Sequence, residues 1–531
     1  MYLPELAEIN NRAKKSIIEW AGLDRRALIA DNSFSSTTNL SSRNYPLISP
    51  RPSRETVYTL TSGKALFAAT ELAWVDGTNF KYNNVTEGTV TASAKSMVEL
   101  SGRIVIFPDN VSYDTVGDTF AAMQGSVPMS QYGYDAYGVV DTTATTKIHN
   151  TTRVTVTPST SYTLTNDKTY TAATAYYFDA NSVFISSAAV NFASFTTPST
   201  AYSMNFDITG TDITVVVKIT NAVYPTQGAI PDIDYACTLN NRIWGVDGDN
   251  VYGSALGQYD NWTTFSSPSE ATDAYQVDTG TNGDFTGIVS YKGFVLVFKR
   301  DRVFKLFGDI PSDFQLVEIS RLGCLSNKSI CEVNNILFWL SPQGVVAYTG
   351  GIPEVISECL NDTYTSGVGG GDGRWYYASL YNGTAYALYT YDTWKGIFLQ
   401  EDTLNVTEFA FLDGYLYALT SANVISKFNS GTETVSSETV TKELTEEASN
   451  KKGHSELFFR ADLQTGATMA VYVRHDNGSF TLVKNYNTTD LTSFKVALKV
   501  KNCDHFQVKL IMTGDYAIHQ WQRKFIVGES D

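Results

Sequence analysis

Cysteine, histidine and charge are scarce in this chain, and long apolar runs are missing. Five Cys stand among 531 residues, at 237, 324, 331, 359 and 503, without the paired spacing of a metal or redox motif. They read as reduced, mostly packed thiols, so folding in a cytoplasm is expected. Five His, at 149, 454, 475, 505 and 519, form no local ligand pair and read as surface or sheet-face residues. No run of 18 apolar residues occurs, which excludes a transmembrane helix and leads us to expect no membrane insertion. The start, MYLPELAEINNRAKKS, lacks the apolar core of a signal peptide. No GxSxG, HExxH or P-loop run is present. Asp247 and Asp249 resemble half a calcium loop, but the closing Glu is missing and an ordinary turn is the simpler reading. No catalytic, cofactor or metal residues are therefore expected, and the chain is not expected to be an enzyme.

Aromatic residues reach 13%, with 32 Tyr, and they alternate with Thr, Ser and Val. Such side chains suit pleated, half-buried surfaces, so the fold class is all-β. Seven times a short strand meets a tight polar turn and leaves as an apolar strand. The turns are Ser62-Gly63, Ser101-Gly102, Asn240-Asn241, Lys292-Gly293, Asn334-Asn335, Asn382-Gly383 and Asp413-Gly414. Gly, Asn and Asp tolerate the positive φ of two-residue hairpins. The turns are about 31 to 52 residues apart, with one gap of about 139. A period near 40 residues, in units such as FTGIVSYKGFVLVFKRDRVFKLFGD, predicts a β-propeller of six or seven four-stranded blades.

The net charge is −16, and it is uneven. Residues 1–54 and 451–531 each carry +3, which leaves −22 on 55–450. An acidic body repels nucleic acid at long range, so a DNA-gripping protein is disfavoured.

Five segments follow. Residues 1–54 are an N-terminal helix and extended arm: Leu6, Ile9, Ala13, Ile17 and Trp20 have helical spacing, and 31–54 is polar with three Pro. Such an arm is either disordered or wraps a neighbouring subunit. Phe34, Leu40, Tyr45, Leu47 and Ile48, spaced as anchors, favour wrapping. Residues 55–120 hold the first blades. Residues 121–225 alternate cleanly and read as an inserted β-sandwich. Its Tyr176, Tyr177 and Phe178 either face a sugar or enter the core. Residues 226–440 hold the remaining blades, with GVGGGDG as a surface loop. Residues 441–531 are a C-terminal β-module, reached through a Ser/Thr/Glu/Lys-rich linker at 430–453.

Three stretches carry a resemblance. They are NLSSRNYPLISPRPSR in the arm, the run from LNNRIWGVDGDNVYGSALGQYDNWTTF through FTGIVSYKGFVLVFKRDRVFKLFG, and the terminal ELFFRADLQTGATMAVYVRHDNGSFTLV with FQVKLIMTGDYAIHQWQRKFIV. In order and pattern they are similar to the tail hub, or nozzle, family of short-tailed bacteriophages, also called packaged-DNA stabilisation proteins. The insertion at 121–225 departs from that pattern. The resemblance implies a virion tail protein made in the host cytoplasm and assembled as a homohexamer. It implies portal and adaptor rings and tail fibres or spikes as partners, and a channel through which packaged DNA passes without sequence-specific binding. The competing expectation is a glycan-binding β-propeller, an adhesin or lectin-like module.

Overall fold

The structure is a computed structural model that describes residues 12–27, 29–123, 127, 129–151, 153–213, 215, 217–220, 230–263, 269–487 and 492–527. It is all-β: among the described residues, helix is confined to three 3-10 turns of 3 or 4 residues. The chain divides into two compact units, residues 71–327 and residues 1–70 with 328–531.

Unit 71–327 holds three four-stranded antiparallel meanders, running from Ser96–Leu100 to Thr119–Ala122, from Tyr235–Leu239 to Tyr275–Asp278 and from Phe285–Tyr291 to Gln315–Ser320. Leu72–Asp76, Asn79–Tyr82 and Val85–Thr89 form a further meander. Burial follows the blade pattern of a β-propeller. The second strand, Phe294–Lys299, is almost wholly buried, whereas the fourth, Gln315–Ser320, is largely open. The turns are the expected ones. Ser101-Gly102, Asn240-Asn241 and Lys292-Gly293 all take positive φ. Asp247 pairs with Asn250 across an ordinary two-residue turn.

The inserted sandwich lies between the first two complete meanders. One sheet runs Met129–Gln131, Lys147–Asn150, Ser203–Thr209, Ala173–Phe178, Phe184–Ala189, and the second Ser194–Thr196, Ser161–Asn166, Val217–Thr220. Both faces close on one core that includes Ile148, Leu164, Tyr177, Phe206 and Ile219.

In the other unit, meanders run from Cys331–Val333 to Glu354–Val355 and from Ser366–Gly371 to Ile397–Asp402. A third has Val406–Leu412, Tyr415–Thr420 and Val424–Phe428, and its fourth strand is Arg54–Thr59, from the far end of the chain. Asn334-Asn335 and Asp413-Gly414 again take positive φ. Two expected hairpins differ. Asn382 instead accepts from the Thr384 and Ala385 amides in a wider loop. Ser62-Gly63 is no hairpin: Arg54–Thr59 pairs with Val424–Phe428, and Gly63–Ala68 packs beside Val406–Leu412. The turn sequence marks a crossover between sheets.

GVGGGDG is not a surface loop either. Ser366–Gly371 is the first strand of its sheet, with Gly367 and Gly370 buried. A Cβ on Gly369 would stand 2.5 Å from the Ser329 carbonyl oxygen. Glycine is there because backbone and rings approach too closely for a side chain.

The C-terminal module is a sandwich of two five-stranded sheets, and each takes a strand from the N-terminal arm. Arg12–Ile17 pairs with Tyr516–Val527, and Phe34–Thr38 pairs with Ser436–Thr441. The expected helix over 4–20 is therefore corrected: residues 12–17 are an edge strand, and the rest of that span before residue 12 lies outside the described residues. The open edge of the 516–527 strand offers backbone partners that outweigh a weak local helix preference. The 430–453 linker is corrected too, since Ser436–Thr441 is a central strand.

Candidate functional site

The arm is tied to the rest of its unit by apolar burial and by three arginines. Phe34, Leu40 and Ile48 are buried, and Tyr45 and Leu47 half-buried. All five line one apolar crevice of about 20 Å³ with Trp20 and Leu399. The expected intersubunit anchors are thus corrected: they pack within their own chain. Their spacing shows that one face must be covered, but not which copy covers it. Three arginines fix the arm's path. Arg43 pairs with Asp372 and donates to Tyr377 Oη at 3.2 Å. Arg51 meets both oxygens of Glu433, at 3.0 and 3.1 Å. Arg54 reaches Glu401 at 2.5 Å and Asp402 at 2.6 Å, and its guanidinium lies 4.3 Å from the Phe428 ring centre. Burial pushes the Glu401 carboxyl up, while Arg54 opposes that shift.

Beneath the arm lies a buried charge cluster. Arg523 donates through Nε and Nη2 to the two oxygens of Glu446, at 2.6 and 3.0 Å, and through Nη2 to Asp31 at 2.5 Å. Lys442 reaches Asp31 at 2.8 Å. His454 Nε2 is 3.1 Å from Glu446, and its ring stacks on Phe506. Burial works against the charged form of Asp31, but Lys442 and Arg523 outweigh it and hold the carboxyl at about 2. Burial drives His454 below the usual histidine range, although Glu446 pulls the other way. His454 was expected at a surface or sheet face. It is fully buried, and its only local signal was a Glu eight residues away in a stretch that reads as linker.

The aromatics of the insertion face no sugar. Tyr176, Tyr177 and Phe178 are all buried. Neighbouring strand residues point to opposite faces. Tyr177 enters the core between the sheets, whereas Tyr176 and Phe178 lie on the other face under Tyr134 and Phe184. Tyr176 donates to Asp207 at 3.0 Å, and Asp207 also accepts from the Tyr134 amide and Lys147. The 133–141 hairpin covers the face that alternation alone leaves open.

An aromatic surface does exist elsewhere. Arg43 lies 3.9 Å from the Trp375 ring centre, and Arg374 lies 4.6 Å from Trp375 and 4.3 Å from Trp394. The stack alternates cation and ring, and its outermost member, Trp394, is 66% exposed. Asp392 holds Arg374 through both oxygens, at 3.0 and 2.5 Å. Sequence reasoning missed this site because Trp394 sits in a plain turn, Thr393 to Gly396, with no motif around it. Among the described residues, no three His, Cys, Asp or Glu side chains could hold a metal ion.

No family model matches the chain, and no curated relative matches it. Among solved structures it is similar to an exo-β-1,3-galactanase from Phanerochaete chrysosporium bound to galactose, at 9% identity and a TM-score of 0.23, over 54% of this chain and 94% of that one. It is also similar to a putative exported protein from Bacteroides fragilis, at 10% identity and a TM-score of 0.27, over 76% and 87%. A glycoside hydrolase family 43 arabinoxylan arabinofuranohydrolase from Bacillus subtilis, in complex with cellotetraose, matches at 9% and 0.19, over 74% and 96%. These values are too low to carry any residue role or activity across. One expectation is corrected on chemical grounds. The missing motifs led us to expect a protein that is not an enzyme, and that inference does not hold. Glycosidase carboxylates converge from separate strands and leave no local motif, so a missing motif does not exclude catalysis.

Proposed function

We propose that this chain is a tail hub or nozzle of a bacteriophage particle, made in the host cytoplasm and built into the virion tail. In this reading six copies form a ring below the portal and adaptor, beside fibres or spikes, and packaged DNA is retained by the ring and later passes through it. The observation that carries the proposal is the anchoring of NLSSRNYPLISPRPSR, the arm stretch behind the resemblance. Arg43, Arg51 and Arg54 tie it to Asp372, Glu433, Glu401 and Asp402, so arm, blades and terminal sandwich of this unit are braced together. A part that holds DNA under pressure needs such bracing. The charge of −22 on 55–450 supports a wall that does not grip phosphate. Because the arm packs on its own chain, the six-fold assembly rests on the resemblance alone. Cryo-EM of the particle encoding this chain is the test. Density around the tail channel supports the proposal, and density only in a peripheral spike, or none, overturns it.

Exposed Trp394 favours a second reading, a carbohydrate-binding β-propeller. A ring face backed by Arg374 suits stacking on the apolar face of a sugar. Saturable glycan binding that Trp394→Ala abolishes supports this reading, and binding indifferent to that change removes it.

A further inference from the structure

Unit 71–327 contains a pocket of about 100 Å³ at one end of two consecutive meanders, between the 235–278 and 285–320 sheets. Its floor includes Arg242 and Trp244, both buried, and its walls include Phe294 and Phe314. Phe307, 40% exposed, and Asp309 stand on the rim. Most of the lining is aromatic and apolar; Arg242 is its one cation, with Asn240 and the exposed Asp309 as the other polar side chains.

That cation is held by backbone carbonyls. Arg242 donates through Nη1 to the carbonyls of Ser254 at 2.7 Å and Asp273 at 2.5 Å, and through Nη2 to the carbonyl of Ala271. Those three bonds use three of the five N–H groups of a guanidinium. Among the described residues, no carboxylate forms an ion pair with it. The Asp273 carboxylate accepts from the Glu270 amide at 2.8 Å instead. Burial pushes the Arg242 guanidinium below its usual range, and Asp273 only partly offsets this. A buried charge whose hydrogen bonds all go to neutral carbonyls, with the Asp273 carboxylate acting on it only at longer range, is costly to keep. A bound anion would neutralise it, and the aromatic walls would take an apolar body.

We propose that this pocket binds a small monocarboxylate with a flat apolar body, its carboxylate on Arg242 and its body against Trp244, Phe294 and Phe314. The site is independent of the tail-hub and sugar readings, since Arg43, Arg374 and Trp394 lie in the other unit.

Benzoate and benzamide are the probes, because they share a shape and differ in charge. Calorimetric titration of the full chain should show saturable benzoate binding, with benzamide at least tenfold weaker. Arg242→Met should abolish the preference for benzoate. Because Arg242 also ties three carbonyls, that variant risks misfolding, so Phe307→Ala on the rim is the second test. It should weaken benzoate at least threefold while leaving the unliganded melting temperature unchanged. Equal binding of the two probes overturns the proposal. So does the absence of saturable benzoate binding, or unchanged affinity in a folded Phe307→Ala chain.

Discussion

Arg523 and Glu446 meet through two hydrogen bonds, at 2.6 and 3.0 Å, with side chains 1% and 0% exposed. Glu446 precedes the 452–463 strand and Arg523 lies on the 516–527 strand, so the pair clamps the sheet that the arm strand 12–17 completes. Arg523 also holds Asp31 of the arm. One guanidinium thus joins the two ends of the chain.

Removing that guanidinium takes away the bidentate partner of buried Glu446, which keeps His454 and a longer contact to Lys15, while Asp31 keeps Lys442. Breaking a buried pair by deleting one partner costs about 3–5 kcal/mol, because the remaining charge is left uncompensated. Arg523→Met should therefore lower the urea midpoint of the terminal sandwich sharply. Arg26→Met, whose guanidinium sits at the surface beside Asp24, should leave the midpoint unchanged. Equal midpoints for the two variants would refute the clamp.

The same cluster sets a pH dependence. His454 is held below the ordinary histidine pKa, so in the unfolded chain it binds a proton at a pH where the folded chain binds none. Stability from this group is present above the unfolded value of about 6.5 and falls as pH drops toward the folded value. Asp31 acts in a lower window. Its carboxyl is held at about 2, so its contribution is present above the unfolded pKa near 3.8 and is lost as pH falls through about 2. Urea denaturation at pH 7.5 and 5.5 should show a loss of stability that His454→Gln reduces. An unchanged slope in His454→Gln would contradict the assignment.

Legibility in the sequence followed how local the cause was. Asn240-Asn241 and Lys292-Gly293 announce positive φ in their own identities, so blades and hairpins could be read along the chain. The alternation in 161–209 likewise announces a sandwich. Ser62-Gly63 shows the same turn chemistry but serves as a crossover, because the partner of Arg54–Thr59 lies some 370 residues away. The anchors Phe34, Leu40 and Ile48 were recognisable as needing cover, but the cover comes from the other end of the chain. Tyr176 and Phe178 are hidden by a hairpin that alternation cannot place. Arg242 was invisible as a site, since its environment is made of backbone carbonyls that no residue type encodes.

Gly369 offers a check on packing without charge. A Cβ there meets the Ser329 carbonyl oxygen at 2.5 Å and the Tyr376 ring at 2.8 Å. Tyr376 also donates to that carbonyl at 3.0 Å, so neither neighbour can yield cheaply. Gly369→Ala should destabilise by about 1–3 kcal/mol, the usual cost of overpacking. Gly373, at positive φ with nothing near its missing Cβ, tests conformation alone and should cost about 1 kcal/mol when changed to Ala. Thermal melts of both variants, read beside wild type, separate the two effects. A Gly369→Ala chain as stable as wild type would mean that the strand is looser than described.

The insertion should be separable. Its two sheets share a core of their own, built from Ile148, Leu164, Phe206 and Ile219, all fully buried. Its polar face is closed internally too, with Asp207 accepting from Tyr134, Tyr176 and Lys147. Both kinds of burial are complete within residues 127–220, so neither the apolar core nor the buried carboxylate needs a partner from the blades. A segment with its own core folds alone. Residues 121–225 expressed by themselves should give a soluble β-protein that melts cooperatively. Asp207→Ala in that fragment should lower its melting temperature by several degrees, because Tyr176 and the Tyr134 amide lose their shared acceptor. A fragment that shows no cooperative transition, while the full chain folds, would show that the sandwich borrows its stability from the meanders around it.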